Sequence, residues 1–204
     1  MRGILKAAVI VGILALTSCG VAPEQSTKTD TSKSSAPQDP IPAKAAFWEM
    51  YKTAHTWSAD LVPLAVESKV VPGMKNDAGK AAMWSATFGS PSKHEARVLN
   101  YSVAAHPPDV YKGVTVGNSR PWGGPVPTAL PFDSADFIVD SDAAYQTALA
   151  QANSWVSKNP GKEVSLTLGN AARFSGPVWY VQWGDRKAGY GVLVNAKSGA
   201  VVNH

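Results

Sequence analysis

The residue types that most often perform catalysis are scattered along this chain of 204 residues. Its four histidines, His55, His94, His106 and His204, include no pair at the spacing of metal ligands. The chain has no Gly-x-Ser-x-Gly motif, no Gly-rich phosphate loop and no dinucleotide fingerprint. The sequence therefore predicts no metal, no cofactor and no catalytic residue. An enzyme of unknown reaction is the less favoured alternative.

The single cysteine, Cys19, stands where an exported chain is modified. Residues 1–18 have the pattern of a signal peptide, with two basic residues near the start, an apolar stretch and small residues at the end. The segment Leu16-Thr17-Ser18-Cys19-Gly20 resembles the lipobox of bacterial lipoproteins. This resemblance implies cleavage before Cys19 and attachment of a diacylglyceryl group to its sulfur. An ordinary secretory signal with an incidental cysteine is the alternative.

Acylation would make membrane lipid the first partner of the chain and place it in the bacterial cell envelope, because each buried methylene contributes about 0.8 kcal/mol. In the lipoprotein family, the residue after the cysteine influences sorting between membranes. This chain has Gly20 there and not Asp, which favours the outer membrane if the organism has one. Residues 19–42 are predicted to be a flexible tether, since they are polar and lack aromatic residues. Basic residues form no run, so nucleic acid is not a predicted partner.

Two stretches of the chain show the same order of apolar patterns. Apolar residues recur at helical spacing over residues 45–57 and again over residues 143–157. Each predicted helix is followed by an alternating strand and a hairpin. The sequence thus predicts an α+β fold of two helix-plus-three-stranded antiparallel repeats, 43–103 and 137–204. Four tryptophans at matching places are predicted to lie in the core: Trp57, Trp84, Trp155 and Trp179.

The second repeat resembles the PepSY domain. The matching motifs are the lead-in Phe137–Ala144, a hairpin opened by Trp179 and Tyr180, and the turn Asn195–Gly199 before a last strand. The first repeat matches in pattern only. The resemblance implies small antiparallel sheets with a helix across one face, and a binding or peptidase-inhibiting module more than a catalyst.

The segment between the repeats, residues 104–136, is rich in proline and glycine and carries three aromatic residues, Tyr111, Trp122 and Phe132. Long loops in compact domains are often functional, and a rigid aromatic ring is a common interface anchor. Trp122 is therefore predicted to lie partly exposed near the sheet edge and to contact a partner. The alternative is an arm that packs its aromatics onto the sheet.

A second candidate surface lies on the second hairpin, where Tyr180 and Gln182 alternate with apolar residues and should share one face of a strand. Taken together, these features predict a membrane-anchored envelope lipoprotein. Its domain would act as a non-catalytic binding module for an envelope protein or another envelope ligand. A peptidase inhibitor or regulator of the PepSY type is the alternative.

Overall fold

A computed structural model of the chain describes residues 39–202. The predicted signal peptide, Cys19 and most of the predicted tether lie outside the described residues. Within residues 39–202, no helix is long and apolar enough to cross a membrane. The fold begins slightly before the predicted boundary at residue 43, because the backbone of Ile41 exchanges two hydrogen bonds with that of Ala81 (3.1 and 3.0 Å).

The chain forms two helices and seven strands. In chain order they are α1 (Ala43–Trp57), β1 (Val62–Lys69), β2 (Met83–Ser90), β3 (Glu95–Ser102), β4 (Gly113–Pro121), α2 (Ser141–Lys158), β5 (Val164–Gly169), β6 (Val178–Trp183) and β7 (Tyr190–Asn195). The strands make one sheet in the order β4-β3-β2-β1-β5-β6-β7, and every neighbouring pair is antiparallel. The two helices lie where the apolar spacing predicted them.

The prediction of two helix-plus-three-stranded repeats, 43–103 and 137–204, is wrong, because all seven strands belong to one sheet. The join is the pairing of β1 with β5, which we call the seam. It consists of three residue pairs: Ala65 with Gly169, Val66 with Leu168 and Glu67 with Thr167. Two separate sheets would have left β1 and β5 as edge strands with unpaired backbone groups. Pairing them satisfies both edges at once.

The predicted arm, residues 104–136, contains a further strand, β4, which pairs with β3 along its length. Alternation of Val114, Thr115 and Val116 accounts for this strand, although prolines and glycines dominate the segment around it. β4 forms one edge of the sheet. The other edge, β7, is covered by residues 200–202, which return to hydrogen-bond with its backbone.

Both helices pack on the same face of the sheet. Trp84 and Trp179 lie between the helices and the sheet, are 0% exposed, and meet edge to face with ring centroids 6.2 Å apart. Each indole N–H donates to a backbone carbonyl at 2.9 Å, that of Ile41 for Trp84 and that of Val139 for Trp179. These two tryptophans are core residues as predicted, and burial of each ring contributes about 2–3 kcal/mol.

Trp57 and Trp155 are only half-buried, so their predicted place in the core is wrong. Both lie in the last turns of their helices, where the helix passes the margin of the sheet. Trp57 packs under the guanidinium of Arg97, 4.6 Å from its ring centroid. Trp155 stacks on Tyr190 with centroids 6.0 Å apart. Helical spacing identified the inward face but not how far the sheet extends beneath it.

The two helices begin side by side and share their caps. Asp140 Oδ1 accepts hydrogen bonds from the backbone N–H of Ser141 (2.7 Å) and of Lys44 (2.9 Å). Ser141 Oγ accepts from the N–H of Ala43 at 2.9 Å. Since α1 follows Pro42 and has no capping side chain of its own, the start of α2 supplies its cap. The carboxylate of Asp140 thus lies near the positive ends of both helix dipoles.

Asp60 holds together the loop after α1 and the turn after β2. Hydrogen bonds from the Ser58 hydroxyl, the backbone N–H of Ser92 and the Ser90 hydroxyl hold the pKa of this carboxyl below its usual range. Both serine side chains are buried. The ionised form of Asp60 therefore stabilises the folded state.

We expect Asp60→Asn to lower the melting temperature at neutral pH. The melting temperature of this variant should also fall less than that of the parent as the pH is lowered. Because the folded pKa is depressed, the contribution of Asp60 is complete above its unfolded pKa of about 4 and is lost as the pH falls below it. Thermal melts at pH 7, 5 and 3 measure this. Asp109→Asn, at an exposed turn residue, is the control. If the difference in melting temperature between the parent and Asp60→Asn is the same at all three pH values, the stabilising role of ionised Asp60 is contradicted.

Candidate functional site: the open end of the seam

The two ends of the seam are built differently, and one of them is closed by the chain itself. At the end formed by Pro63 and Asn170, the extended segment 130–132 bridges the two strands. Leu130 N–H donates to the carbonyl of Asn170 (3.0 Å), and Phe132 N–H donates to the carbonyl of Pro63 (3.0 Å). The Phe132 side chain is 5% exposed and joins the core.

At the opposite end, β1 and β5 stop pairing although both strands continue. Beyond the pair of Glu67 and Thr167, the N–H of Leu166 donates to the side chain of Ser68 (Oγ, 2.9 Å). β1 still pairs with β2 up to Lys69, and β5 still pairs with β6 from Val164. A gap therefore opens inside the sheet, between two strands that each retain their outer neighbour.

Two adjoining cavities of about 390 and 470 Å³ occupy this gap and the space under α2. We call them together the seam cleft. Each lies in the size range of small-ligand sites, about 300–1,000 Å³. Residues that line both cavities are Val70, Asn76, Gly161, Lys162, Glu163 and Val164. Tyr145 and Val156 of α2 and Trp183 of β6 close the cleft on the helix side.

The walls of the seam cleft combine apolar surface with a few polar groups. Val70 is 62% exposed, whereas Trp183 is nearly fully buried behind it. Asn76 Nδ2 donates to the carbonyl of Lys69 over 3.4 Å, and Asn76 Oδ1 is buried with no hydrogen-bond partner among the described residues. The Lys69 carbonyl can only accept a hydrogen bond, which sets the orientation of the Asn76 amide.

Asp185, a charged residue at the cleft entrance, is engaged in local structure. Backbone N–H groups of Ala188 and Lys187 hydrogen-bond Asp185, and with the nearby charge of Lys162 they hold the pKa of this carboxyl below its ordinary value. Asp185 therefore stays anionic and its Oδ1 is used by its own turn. Within residues 39–202, no three His, Cys, Asp or Glu side chains lie close enough to hold a metal ion. The cleft offers hydrogen bonds and apolar contact.

The three aromatic residues predicted from the segment 104–136 do not come together. Tyr111 is 56% exposed beyond a turn, and Phe132 is buried at the closed end of the seam. Trp122 is half-buried, at the edge of the sheet as predicted, on the face opposite the helices. Its ring packs over Gly89, where an added Cβ would lie 2.9 Å from the indole. A role of Trp122 in binding stays a prediction.

Tyr180 and Gln182 do lie together, on the face of β6 opposite the helices. The Tyr180 hydroxyl donates to Gln182 Oε1, and Gln182 Nε2 donates to the carbonyls of Trp183 (3.1 Å) and Asp185 (3.2 Å). Gln182 is 6% exposed, and the Tyr180 ring lies over Gly191, where a Cβ would be 2.5 Å away. The amide of Gln182 is thus used internally. Binding by this pair stays a prediction.

The residues of the seam cleft were not identified from the sequence. The one local signal is the apolar pair Val70-Val71 directly before Pro72 and Gly73. This pattern indicates the end of a strand, followed by an apolar residue that the strand does not bury. No short motif could show that β1 and β5 are neighbours. The cleft follows from that neighbourhood and not from the residues of either strand alone.

No family model matches the chain, and no curated protein matches it. The resemblance of residues 137–202 to the PepSY domain therefore gains no support from these comparisons. Among solved structures, the chain is similar to a provisionally assigned lipoprotein of Clostridium difficile 630 at 13% sequence identity. The match covers 81% of this chain and 93% of the other, with a TM-score of 0.46. A likeness of this size carries no argument about function.

Proposed function

We propose that the protein is a lipid-anchored protein of the bacterial cell envelope whose domain is a non-catalytic binding module. The anchor is inferred from the lipobox-like segment Leu16–Gly20, in which Cys19 would carry the lipid. The seam cleft is the observation that supports binding. It is an indentation inside a sheet, with an exposed valine and an unpaired amide oxygen at its walls.

The titratable groups with displaced pKa values favour binding over catalysis. Asp60 and Asp185 are each held by hydrogen bonds within turns. Hydrogen bonding to Asp136 and its charge raise the pKa of Lys197, which makes an ion pair with it at 2.6 Å. Each shift therefore has a local structural cause. Of the three groups only Asp185 lines the seam cleft, whereas a catalytic pair would place two groups with displaced pKa values in one cleft.

Replacing Cys19 with alanine is expected to move the protein from the membrane fraction to the soluble or uncleaved precursor fraction, because the thiol that receives the lipid is gone. Fractionation of cells that express each form, followed by immunoblotting, measures the shift. Ser18→Ala, which keeps Cys19 and a small residue before it, is the matched control. If Cys19→Ala is processed and sediments with membranes like the parent, the anchor is disproved.

For the binding module, a photoreactive amino acid at Val70 is expected to give cross-linked adducts with envelope components in intact cells. The matched control is the same amino acid at Val116, which is 59% exposed on β4 and distant from the cleft. Gel mobility and mass spectrometry of the adducts measure the difference. A third protein carries the same amino acid at position 122. Adducts from position 122 with none from position 70 would favour the surface around Trp122 as the binding site.

A further inference from the structure

We infer that the open end of the seam binds an extended segment of a partner protein, which forms main-chain hydrogen bonds with β1 and β5 and seats an apolar side chain near Val70. This inference rests on the proposed binding function and names its ligand class. Segments that add a strand to a sheet in this way gain affinity from their backbone and specificity from alternate side chains.

The register of β1 and β5 determines which of their backbone groups face the gap. Leu166 N–H points toward β1, since it donates to Ser68. Backbone groups alternate between the two sides of a strand, so the N–H and C=O of Val164 also point toward β1. By the same register, those of Ser68 point toward β5. A main chain presents both donors and acceptors at the spacing of these groups.

The closed end of the seam shows that this fold accepts such an insertion. There, residues 130–132 hydrogen-bond to the backbone of both flanking strands, and Phe132 fills an apolar site. Because β1 and β5 are antiparallel, the open end presents the same two strands in the same relation. What the chain supplies to itself at one end, a partner would supply at the other.

The two ends also carry corresponding asparagines. Asn170 follows β5 directly and its Nδ2 donates to the carbonyl of Pro131 in the inserted segment, at 3.0 Å. Asn76 follows β1 after a short loop and lines the open end, and the Oδ1 atoms of both asparagines are buried with no hydrogen-bond partner among the described residues. An unpaired buried oxygen is destabilising, so a peptide N–H that reaches Asn76 Oδ1 would stabilise the complex.

The apolar part of the cleft gives the inserted segment its anchor. Val70 is exposed beside Met74, and Tyr145 and Trp183 form the inner wall. The lining also carries polar side chains that could hydrogen-bond the hydroxyls of an oligosaccharide, among them Asn159, Lys162 and Glu163. An extended peptide, unlike an oligosaccharide, would also continue the main-chain pairing of β1 and β5 where it stops. The geometry therefore favours an extended peptide, and binding of an oligosaccharide is an outcome that the experiment can register.

The test uses the full chain in detergent, labelled with ¹⁵N on asparagine, and a panel of acetylated and amidated tripeptides that differ in the central side chain. We expect at least one tripeptide with an apolar central residue to shift the side-chain amide signals of Asn76 and Asn159, which line the cleft. Asn118 on β4 should not respond. The same tripeptide with N-methylated backbone nitrogens should bind at least tenfold more weakly, because it keeps the side chains and loses the donors.

Variants distinguish a binding role of Asn76 from a structural one. Asn76→Ala should weaken tripeptide binding about fivefold, the effect of one hydrogen bond, whereas Asn76→Asp retains the acceptor oxygens and should retain most of the affinity. Asn170→Ala removes an asparagine at the closed end and should leave the affinity unchanged. Melting temperatures of the three variants show whether any loss of binding merely follows a loss of folding.

Three results would overturn the inference: no response to any tripeptide, equal binding of the N-methylated peptide, or a response at Asn76 to chitotetraose in place of the tripeptides. Each leaves the proposed function standing if position 70 still cross-links to an envelope component. Loss of that cross-link together with loss of tripeptide binding would overturn the binding function as well.

Discussion

Replacing Trp179 with alanine is expected to lower the free energy of unfolding by about 3–5 kcal/mol, the range for emptying a large aromatic site. The ring is fully buried and meets Trp84 and Phe137 edge to face, with centroids 6.2 and 5.7 Å away. Its N–H donates to the carbonyl of Val139. The substitution therefore leaves a cavity between the helices and the sheet and removes the donor to the Val139 carbonyl. Chemical denaturation of variant and parent measures the loss.

Trp155→Ala is the matched control for this prediction. Burial in the core was predicted for Trp155 of α2 as well as for Trp179 of β6. The structure shows Trp155 half-buried and stacked on Tyr190 at the margin of the sheet. Part of its surface already contacts solvent, so we expect a loss of only about 1–2 kcal/mol. Equal losses in the two variants would show that Trp179 is not at the centre of the core.

Gly79→Ala is expected to destabilise the fold by about 2–5 kcal/mol. Gly79 is buried with φ +82°, where a side chain costs about 1–2 kcal/mol. A Cβ would also lie 2.4 Å from the carbonyl oxygen of Ser141 and 2.6 Å from Cα of Asp142. These are backbone atoms in the first turn of α2, which cannot move without displacing the shared helix caps, and such overpacking costs about 1–3 kcal/mol more.

Gly73→Ala isolates the backbone part of this effect. Gly73 has nearly the same φ, +79°, but an added Cβ would meet no atom within 4 Å. We expect a loss of about 1–2 kcal/mol from the left-handed conformation alone. The difference between the two variants, measured under identical denaturation conditions, gives the steric contribution at Gly79. A loss at Gly73 as large as that at Gly79 would mean that no such contribution exists.

Periodicity predicted the helices and six of the seven strands, because a pattern within one segment reports which side chains share a face. It could not report which strands are neighbours. The alternation in Val62–Lys69 and in Val164–Gly169 is equally compatible with one sheet and with two. The pairing of β1 with β5 was therefore not predicted, and the predicted fold class was wrong. β4 was overlooked for a different reason: its Val-Thr-Val core is short and lies among prolines and glycines.

The candidate site was less predictable still. Aromatic content pointed to Trp122 and Tyr111, but the structure places these two residues in different environments. Trp122 packs on Gly89, whereas Tyr111 is exposed. The seam cleft is made by the divergence of two strands that are distant in the chain, and its one unusual polar residue, Asn76, resembles any loop asparagine in sequence. Its significance comes from an unpaired oxygen, which only the three-dimensional arrangement shows.

The seam also governs how the two halves of the chain depend on each other. Ser68 and Leu166 are 98 positions apart, whereas every other strand pair joins consecutive strands. Loop-closure entropy makes this contact roughly 3 kcal/mol more costly than the turn between β2 and β3. The three residue pairs, the shared helix caps and the contact of Trp84 with Trp179 offset that cost. A ligand that bridges β1 and β5 would add to these contacts and, by linkage, would stabilise the folded state in which the two halves are joined.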